Sequence, residues 1–193
     1  AREGLSVLQG NGVPTADLVV PDADAIVVAL KSRTIPSAEA VAWSMAALAW
    51  LQSHGAERIY FKYCSTFDST PRGNIGPVTD ALRAALDAGV VPATPAYPRN
   101  QRTVYQGHLF VGDMLLSETG MRNHPLTPMR DANLVRVLGA QTAAQVLGAA
   151  DAEPRAALQA AVQLERRVAR GDGAVDEVGH RVGLVIRVLD RRV

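Results

Sequence analysis

The sequence predicts an α/β fold: a three-layer, open, mostly parallel sheet with flanking helices and a hairpin insertion. Residues 25–30 (AIVVAL) form an unbroken aliphatic run of strand length, which is typical of a strand that is buried on both faces. Two further strand-like runs follow, 58–63 (RIYFKY) and 89–94 (GVVPAT), and one helical pattern separates each run from the next. Strands that alternate with helices in this way favour right-handed βαβ crossovers.

The first element along the chain is a predicted strand at residues 5–9 (LSVLQ). Residues 1–4 before it have the pattern of a last helical turn, with Gly4 as its stop. The sequence does not begin with a methionine. We therefore expect that a segment precedes it.

Two helices are predicted between the three strand-like runs. The first covers residues 36–54, carries Glu39 in its first turn, where the helix dipole favours an acid, and ends at Gly55. The second covers residues 77–88 and ends at Gly89. Apolar residues recur at helical spacing in both, so each has a face for the sheet.

The character of the chain changes between residues 92 and 128, where prolines recur and helical periodicity is absent. Residues 103–117 (TVYQGHLFVGDMLLS) predict a hairpin of two strands that turns at Gly112-Asp113. A short helix is expected at residues 131–141, with Leu134, Val137 and Leu138 facing inward.

The sequence divides into a main domain, residues 1–142, and an extension of uncertain status, residues 143–193. Residues 151–170 of the extension are rich in alanine and predict a helix. Residues 181–189 (RVGLVIRVL) alternate as a final strand does.

Composition excludes several classes of function. The formal charge of +1 over 193 residues is too small to predict nucleic-acid binding. Apolar stretches are interrupted well before the length of a membrane span, so no membrane association is expected. Cys64 is the single cysteine, which rules out a disulfide framework and suits the cytoplasm.

Polar side chains concentrate where each predicted strand ends. In open α/β sheets, ligands bind beyond the carboxyl ends of the strands, so these loops are expected to converge on one site. The first loop offers Lys31, Ser32, Arg33 and Thr34; the second offers Lys62, Ser65, Thr66, Asp68, Ser69 and Arg72; the third offers Arg99, Asn100, Gln101 and Arg102.

The chemistry of these loops predicts a small hydroxylated anion as the ligand. Arginine forks bind carboxylate or phosphate, whereas short hydroxyls and a carboxylate suit sugar hydroxyls. Asp68 is the acid of the second loop, and a single carboxylate beside a substrate hydroxyl can orient the nucleophile of a phosphoryl transfer. Residues 73–76 (GNIG) open the next helix, where free N–H groups favour an anion.

Structural explanations compete with ligand roles at several positions. Ser37, Thr70 and Asn74 are also typical helix caps or turn formers. His108 is equally well explained as a core histidine or a ligand-binding one. His124 has no second histidine at metal-ligand spacing, so no metal site is predicted. Neither a GxGxxG nor a Walker sequence is present, so no sequence motif supports a nucleotide-binding site.

Three stretches together resemble the N-terminal domain of the four-carbon acid sugar kinase family. They are ALKSRT, FKYCSTFDSTPRGNIGPV and QRTVYQGHLFVGDMLLSETGMRNHPLTPMRDANLVRVL, and the resemblance covers residues 1–142. Members of that family use ATP, with magnesium, to phosphorylate the 4-hydroxyl of threonate, erythronate or an oxo-tetronate. Their N-terminal domain holds the sugar acid and their C-terminal domain holds the nucleotide.

The resemblance implies a set of site residues in this chain. Asp68 is the implied catalytic residue. The implied substrate-binding residues are Arg33, Lys62, Ser65, Ser69, Gly73, Asn74, Arg102 and His108. Gln101 departs from the glycine usual before the matching arginine, and residues after Thr142 do not follow the family pattern.

Two functional hypotheses follow from the resemblance. In the first, the chain is the acid-binding part of an ATP-dependent kinase, inactive without a nucleotide-binding domain and expected to bind neither ATP nor magnesium alone. In the second, it is an inactive fragment that binds a small hydroxy acid or is a non-functional truncated product. A homo-oligomer is a further possibility for either hypothesis.

Overall fold

A computed structural model describes residues 6–15, 17–148 and the backbone of 185–186. The predicted helical turn at residues 1–4 and the predicted helix at residues 151–170 lie outside the described residues, as do all but two residues of the predicted final strand.

A three-stranded sheet in the order β1-β2-β6 forms the first part of the fold. Strand β1 (Val7–Asn11) pairs in parallel with β2 (Ala25–Ala29), and β6 (Val185–Ile186) pairs antiparallel with β2 on its other side. Every residue of β2 is buried, as its continuous aliphatic run predicts. The α/β class is confirmed.

Helix α1 (Ser37–Ser53) matches its prediction closely: Pro36 caps it, and Gly55 follows it with a φ of 80°. Helix α2 (Ile75–Ala85) starts two residues earlier than predicted and ends before Gly89. The reason is Asp87, whose φ of 47° already takes the chain into the left-handed conformation that stops a helix. The two helices pack against each other.

The predicted strands at residues 58–63 and 89–94 are not strands in the described structure. The apolar side chains of the first segment are nevertheless packed: Ile59 and Phe61 contact one core cluster, and Phe61 and Tyr63 contact another. An apolar pattern indicates that side chains are buried, whereas a strand also needs a hydrogen-bonded neighbouring strand. The prediction was therefore correct about burial and wrong about pairing.

The insertion is a three-stranded antiparallel meander rather than one hairpin. Its strands are β3 (Arg102–Tyr105), β4 (His108–Val111) and β5 (Met114–Leu115). The turn at Gly112-Asp113 was predicted, but the turn at Gln106-Gly107 was not. Both of its residues have positive φ, 45° and 73°, as a two-residue hairpin turn of type I′ requires.

Helix α3 (Leu134–Gly139) is shorter than predicted and buries Leu134, Val137 and Leu138 as expected. It belongs to a core cluster with Phe67, Ile75 and the meander, whereas β2 and α1 form a second cluster with Val78 and Leu82 of α2. Among the helices that the structure describes, none has the length and apolar character needed to cross a membrane.

Candidate functional site

A shallow cleft, open to solvent, lies where the loop after β2 meets the segment before α2. Charged, polar and apolar side chains line it together. They are Ser32, Arg33, Phe61, Lys62, Tyr63, Cys64, Asp68, Asn74 and Ile75. Arg33, Lys62, Asp68 and Asn74, four of the predicted site residues, are thus brought to one place from two different loops.

An ion pair between Arg33 and Asp68 forms the centre of the cleft. Nη1 of Arg33 donates to Oδ2 of Asp68 over 2.9 Å, and the Asp68 side chain is only 5% exposed. The other terminal nitrogen of Arg33, Nη2, is buried and has no hydrogen-bond partner among the described residues. Since a buried unpaired donor costs free energy, this nitrogen is available for an acceptor that enters the cleft.

A chain of hydrogen bonds orients the other oxygen of Asp68. Thr66 donates its hydroxyl proton to Oδ1 over 2.6 Å, and the Thr66 oxygen lies 3.0 Å from the sulfur of Cys64. Because the Thr66 proton is given to Asp68, the thiol is the donor in the second contact. Both carboxylate oxygens are therefore held from within the protein, which fixes the plane of the carboxylate.

Lys62 brings a second positive charge to the cleft. No hydrogen bond or ion pair of the described residues includes its ammonium group. Burial is the main cause that lowers its pKa, and the Arg33 charge lowers it further, while Cys64 and Asp68 act in the opposite direction. An anion in the cleft would relieve both unfavourable effects.

Two residues next to those that line the cleft have strained backbone conformations. Lys31, two residues before Arg33, has a φ of 54°, and Phe67, directly before Asp68, has a φ of 52°. Such left-handed conformations cost about 1 kcal/mol or more in a residue other than glycine, so surrounding structure must hold them. Phe67 is only 1% exposed, and its packing supplies that support.

Asn74 joins the two loops of the cleft. Its side-chain nitrogen donates to the carbonyl oxygens of Ser32, at 2.7 Å, and Ile35, at 3.1 Å. The residue precedes α2 but makes no side-chain capping bond to that helix. Its amide is therefore used to position the loop that carries Arg33.

At the predicted anion site, residues 73–76, two backbone N–H groups donate within the protein, that of Gly73 to Thr70 and that of Gly76 to Gln141. The side-chain oxygen of Gln141 accepts the N–H of Gly76 over 2.8 Å, and Pro77 has no N–H to offer. Ser69, predicted to bind substrate, is 3% exposed and accepts a hydrogen bond from Gln141, so a substrate contact of Ser69 stays a prediction. Gly73 lies beside it, since a side chain at Gly73 would collide with Ser69.

Besides Ser69 and Gly73, three other predicted binding residues are not among those that line the cleft. Arg102 begins β3 and donates to the carbonyl of Asn100, His108 lies on β4 within 2.9 Å of the Gln106 oxygen, and Ser65 is half-buried. The expected convergence of the third loop depended on a strand at residues 89–94, which is absent from the described fold. Substrate contacts of these three residues stay predictions.

Comparison with known proteins identifies the family. Residues 1–183 match the family described as the sugar-binding N-terminal domain. Relatives that carry the name 3-oxo-tetronate kinase are 52–63% identical to this chain. The chain belongs to the sugar-binding N-terminal domain family of the four-carbon acid sugar kinases.

Two of these relatives show the extent of the match. The kinase of Burkholderia multivorans is 61% identical over 145 residues, which are 75% of this chain and 34% of the relative. The kinase of Methylobacterium radiotolerans is 52% identical over 175 residues, which are 90% of this chain and 41% of the relative. The chain therefore spans well under half the length of the curated relatives that it matches.

Solved structures share its fold. A Haemophilus influenzae protein superposes with a TM-score of 0.73 at 49% identity, over 85% of this chain and 40% of that one. A domain of unknown function from Bordetella bronchiseptica superposes with a TM-score of 0.63 at 32% identity, over 72% of this chain and 35% of that one. The Bordetella structure contains bound citrate and is a domain-swapped dimer.

Metal-ligating side chains are not clustered in the described part of the chain. It contains no group of three or more His, Cys, Asp or Glu side chains placed to hold a metal ion. In phosphoryl-transfer sites magnesium is usually held by one or two carboxylates together with waters and substrate phosphates. In this chain, both oxygens of Asp68 accept hydrogen bonds from the protein, one from Arg33 and one from Thr66.

Sequence reasoning missed two residues, one that lines the cleft and one that bonds to the residue after Asp68. Gln141 was predicted only as the end of a helix, although it bonds to Ser69, 72 positions earlier. Cys64 was used only to rule out a disulfide framework, whereas it lines the cleft. The proximity of Cys64 to Asp68 in sequence was a usable signal, but nothing local marks Gln141.

Proposed function

We propose that this chain is the acid-binding domain of an ATP-dependent kinase that phosphorylates the 4-hydroxyl of a four-carbon sugar acid, of the 3-oxo-tetronate, threonate or erythronate class. One observation carries the proposal: two cationic side chains with unused hydrogen-bonding capacity, Arg33 and Lys62, share a cleft with a fixed carboxylate, Asp68. That combination suits a molecule with an anionic group and hydroxyls.

The carboxylate of the acid is expected to bind Arg33 and Lys62. The free Nη2 of Arg33 is a directed donor, and the ammonium of Lys62 supplies an undirected positive charge beside it. Citrate, found in the Bordetella neighbour, is also a hydroxy acid, which supports a site for this class of ligand.

Asp68 is the proposed catalytic residue. With both oxygens oriented, the carboxylate can accept the proton of the 4-hydroxyl while that oxygen forms its bond to phosphorus. Arg33 then serves two purposes, since it holds Asp68 and presents Nη2 to the acid. Asn74 keeps the Arg33 loop in position.

The phosphoryl group comes from ATP, whose binding we assign to the part of the relatives that this chain does not match. The sequence of this chain contains no phosphate-binding loop. By itself it is expected to bind the acid without transferring phosphate. ATP consumption and the single cysteine both suit a cytoplasmic protein.

Calorimetry with D-erythronate and D-threonate tests the binding step on this chain. We expect binding of at least one acid and none of erythritol, which has the hydroxyls but no carboxylate. Arg33→Met should abolish binding, whereas Arg122→Met, a change at an exposed arginine that donates to the Ser117 carbonyl, should not alter it. If no four-carbon acid binds, the proposal fails.

The kinase assignment is tested in the full-length Burkholderia relative. ATP and 3-oxo-tetronate should give a product phosphorylated on O4, identified by phosphorus NMR. A product phosphorylated elsewhere, or none, would contradict the assigned reaction and leave a domain that binds acids without chemistry as the alternative.

A further inference from the structure

We propose that Gln141 is a positioning residue of the acid site, which acts by closing the loop that carries Asp68. The inference rests on the proposed acid-binding function and adds to it a residue outside the cleft. Gln141 follows α3 and lies 72 positions after Ser69 in sequence.

The side chain of Gln141 bonds to both ends of one loop. Its nitrogen donates to the hydroxyl oxygen of Ser69 over 2.8 Å and to the carbonyl oxygen of Thr70 over 2.6 Å. Its oxygen accepts the N–H of Gly76 over 2.8 Å. One amide group thus uses its donors and its acceptor to hold residues 69–70 against the first turn of α2.

Two glycines make room for this contact. A Cβ atom at Gly76 would lie 2.5 Å from Cβ of Gln141 and 2.8 Å from its carbonyl oxygen. A Cβ atom at Gly73 would lie 3.0 Å from Nε2 of Gln141 and 1.8 Å from the Ser69 hydroxyl oxygen. Gly73 and Gly76, whose pattern in the sequence predicts an anion-binding loop, leave the space that the Gln141 side chain occupies.

The closed loop connects two residues of the cleft. Asp68 directly precedes Ser69, and Asn74 lies between Gly73 and α2. Both line the cleft, so the loop fixes the distance between the carboxylate and the amide that orients the Arg33 loop. Opening the loop is expected to misplace Asp68, and small misplacements of binding groups are costly.

A neighbouring contact provides the matched control. Thr142, the next residue, donates its hydroxyl to the carboxylate of Asp80 on α2, with distances of 2.6 and 2.7 Å to the two oxygens. This bond attaches the same segment to the same helix without touching the loop. A purely structural role for Gln141 predicts that Gln141→Met and Thr142→Val behave alike.

The experiment compares these two variants of the full chain by calorimetry with D-erythronate and D-threonate and by thermal unfolding. We expect both to lower Tm, but only Gln141→Met to weaken acid binding, by about tenfold or more at a temperature where both are folded. Equal affinities in the two variants would overturn the proposal.

A second test leaves Gln141 unchanged and displaces its side chain by adding a Cβ atom at Gly76. Gly76→Ala should reduce affinity as Gln141→Met does, while Gly139→Ala, at a position with no atom within 4 Å, should not. These variants keep the test valid if Gln141→Met does not fold. An unchanged affinity in Gly76→Ala would contradict the proposal.

Hydrogen exchange separates this inference from the proposed function. The Gly73 amide donates to Thr70 within the loop, so its exchange should accelerate in Gln141→Met and not in Thr142→Val. If the unmodified chain binds no acid, the proposed function fails while faster Gly73 exchange still supports loop closure. Unchanged Gly73 exchange overturns the closure itself.

Discussion

The charge of Lys62 is expected to control the pH dependence of acid binding. Burial lowers the pKa of its ammonium group from the ordinary value of 10.5, and a bound carboxylate would raise it again. Binding therefore takes up a proton wherever free Lys62 is neutral. Affinity should be greatest below the lowered pKa and should fall as pH rises through it.

Calorimetry from pH 7 to pH 10 measures this effect, because the heat in buffers of different ionisation enthalpy gives the number of protons taken up. Lys62→Arg is the control: an arginine stays charged throughout this range, so its affinity should be nearly independent of pH. A similar decline in both proteins would assign the effect to another group.

Asp68 is expected to contribute more to turnover than to binding. In the Burkholderia relative, the residue aligned with Asp68 is changed to Asn, which keeps the shape and one acceptor oxygen but cannot accept the substrate proton. We expect kcat to fall about 100-fold or more, with the dissociation constant of the acid changed only a few-fold. Equal losses in both would instead make this residue a substrate anchor.

At the scale of single residues, sequence reasoning found those site residues that lie next to a recognisable local sequence pattern. Arg33 lies three residues after a buried aliphatic run, and Asp68 lies in a polar loop after another apolar segment, so both were found from local pattern. The roles of Ser69 and Gly73 depend on Gln141, which reaches them only through the tertiary fold. No local signal predicts such a contact.

The hydrogen bonds of Asn74 join two elements, the loop after β2 and helix α2. Asn74→Ala removes the bonds to the carbonyls of Ser32 and Ile35, and the buried Ser32 residue loses its partner. We expect the free energy of unfolding to fall by about 1–3 kcal/mol, because a buried unsatisfied group costs that much. Urea unfolding measures it.

The same substitution should also weaken acid binding, since the Arg33 loop loses its attachment. Thr119→Ala is the matched control: it also removes side-chain bonds to the backbone, at Leu116 and Met121, but far along the chain from the cleft-lining segments. It should lower stability and leave affinity unchanged. Equal affinity loss in both variants would show that Asn74 acts only through general stability.

At the scale of elements, helix faces and buried strands were predictable, but hydrogen-bonded pairing was not. Strand β2 follows from its continuous aliphatic run, and helix α1 follows from apolar residues at helical spacing and from Gly55. Residues 58–63 have the same kind of pattern and are not a strand, because pairing depends on which segments become neighbours. The end of α2 depended on a left-handed Asp87, a conformation that sequence rarely reveals.

Two apolar clusters make up the core, and Phe61 packs against both. It also lines the cleft, so it joins the halves of the molecule at the site itself. The first cluster contains Trp50, with Trp43 packed against it, and these are the two tryptophans of the chain. Their fluorescence therefore reports the unfolding of that cluster.

We expect Phe61→Ala to uncouple the clusters and to lower the free energy of unfolding by about 3 kcal/mol. In the unmodified chain, tryptophan fluorescence and exchange of the Leu109 amide, which donates to Ala132 in the second cluster, should report the same unfolding free energy. In Phe61→Ala the two values should differ. Phe61→Leu, which keeps apolar contact with both sides, should retain agreement. If the two unfolding free energies agree in Phe61→Ala as well, contacts other than the Phe61 ring join the two clusters. In that case the cleft does not need this ring for the two clusters beside it to fold together.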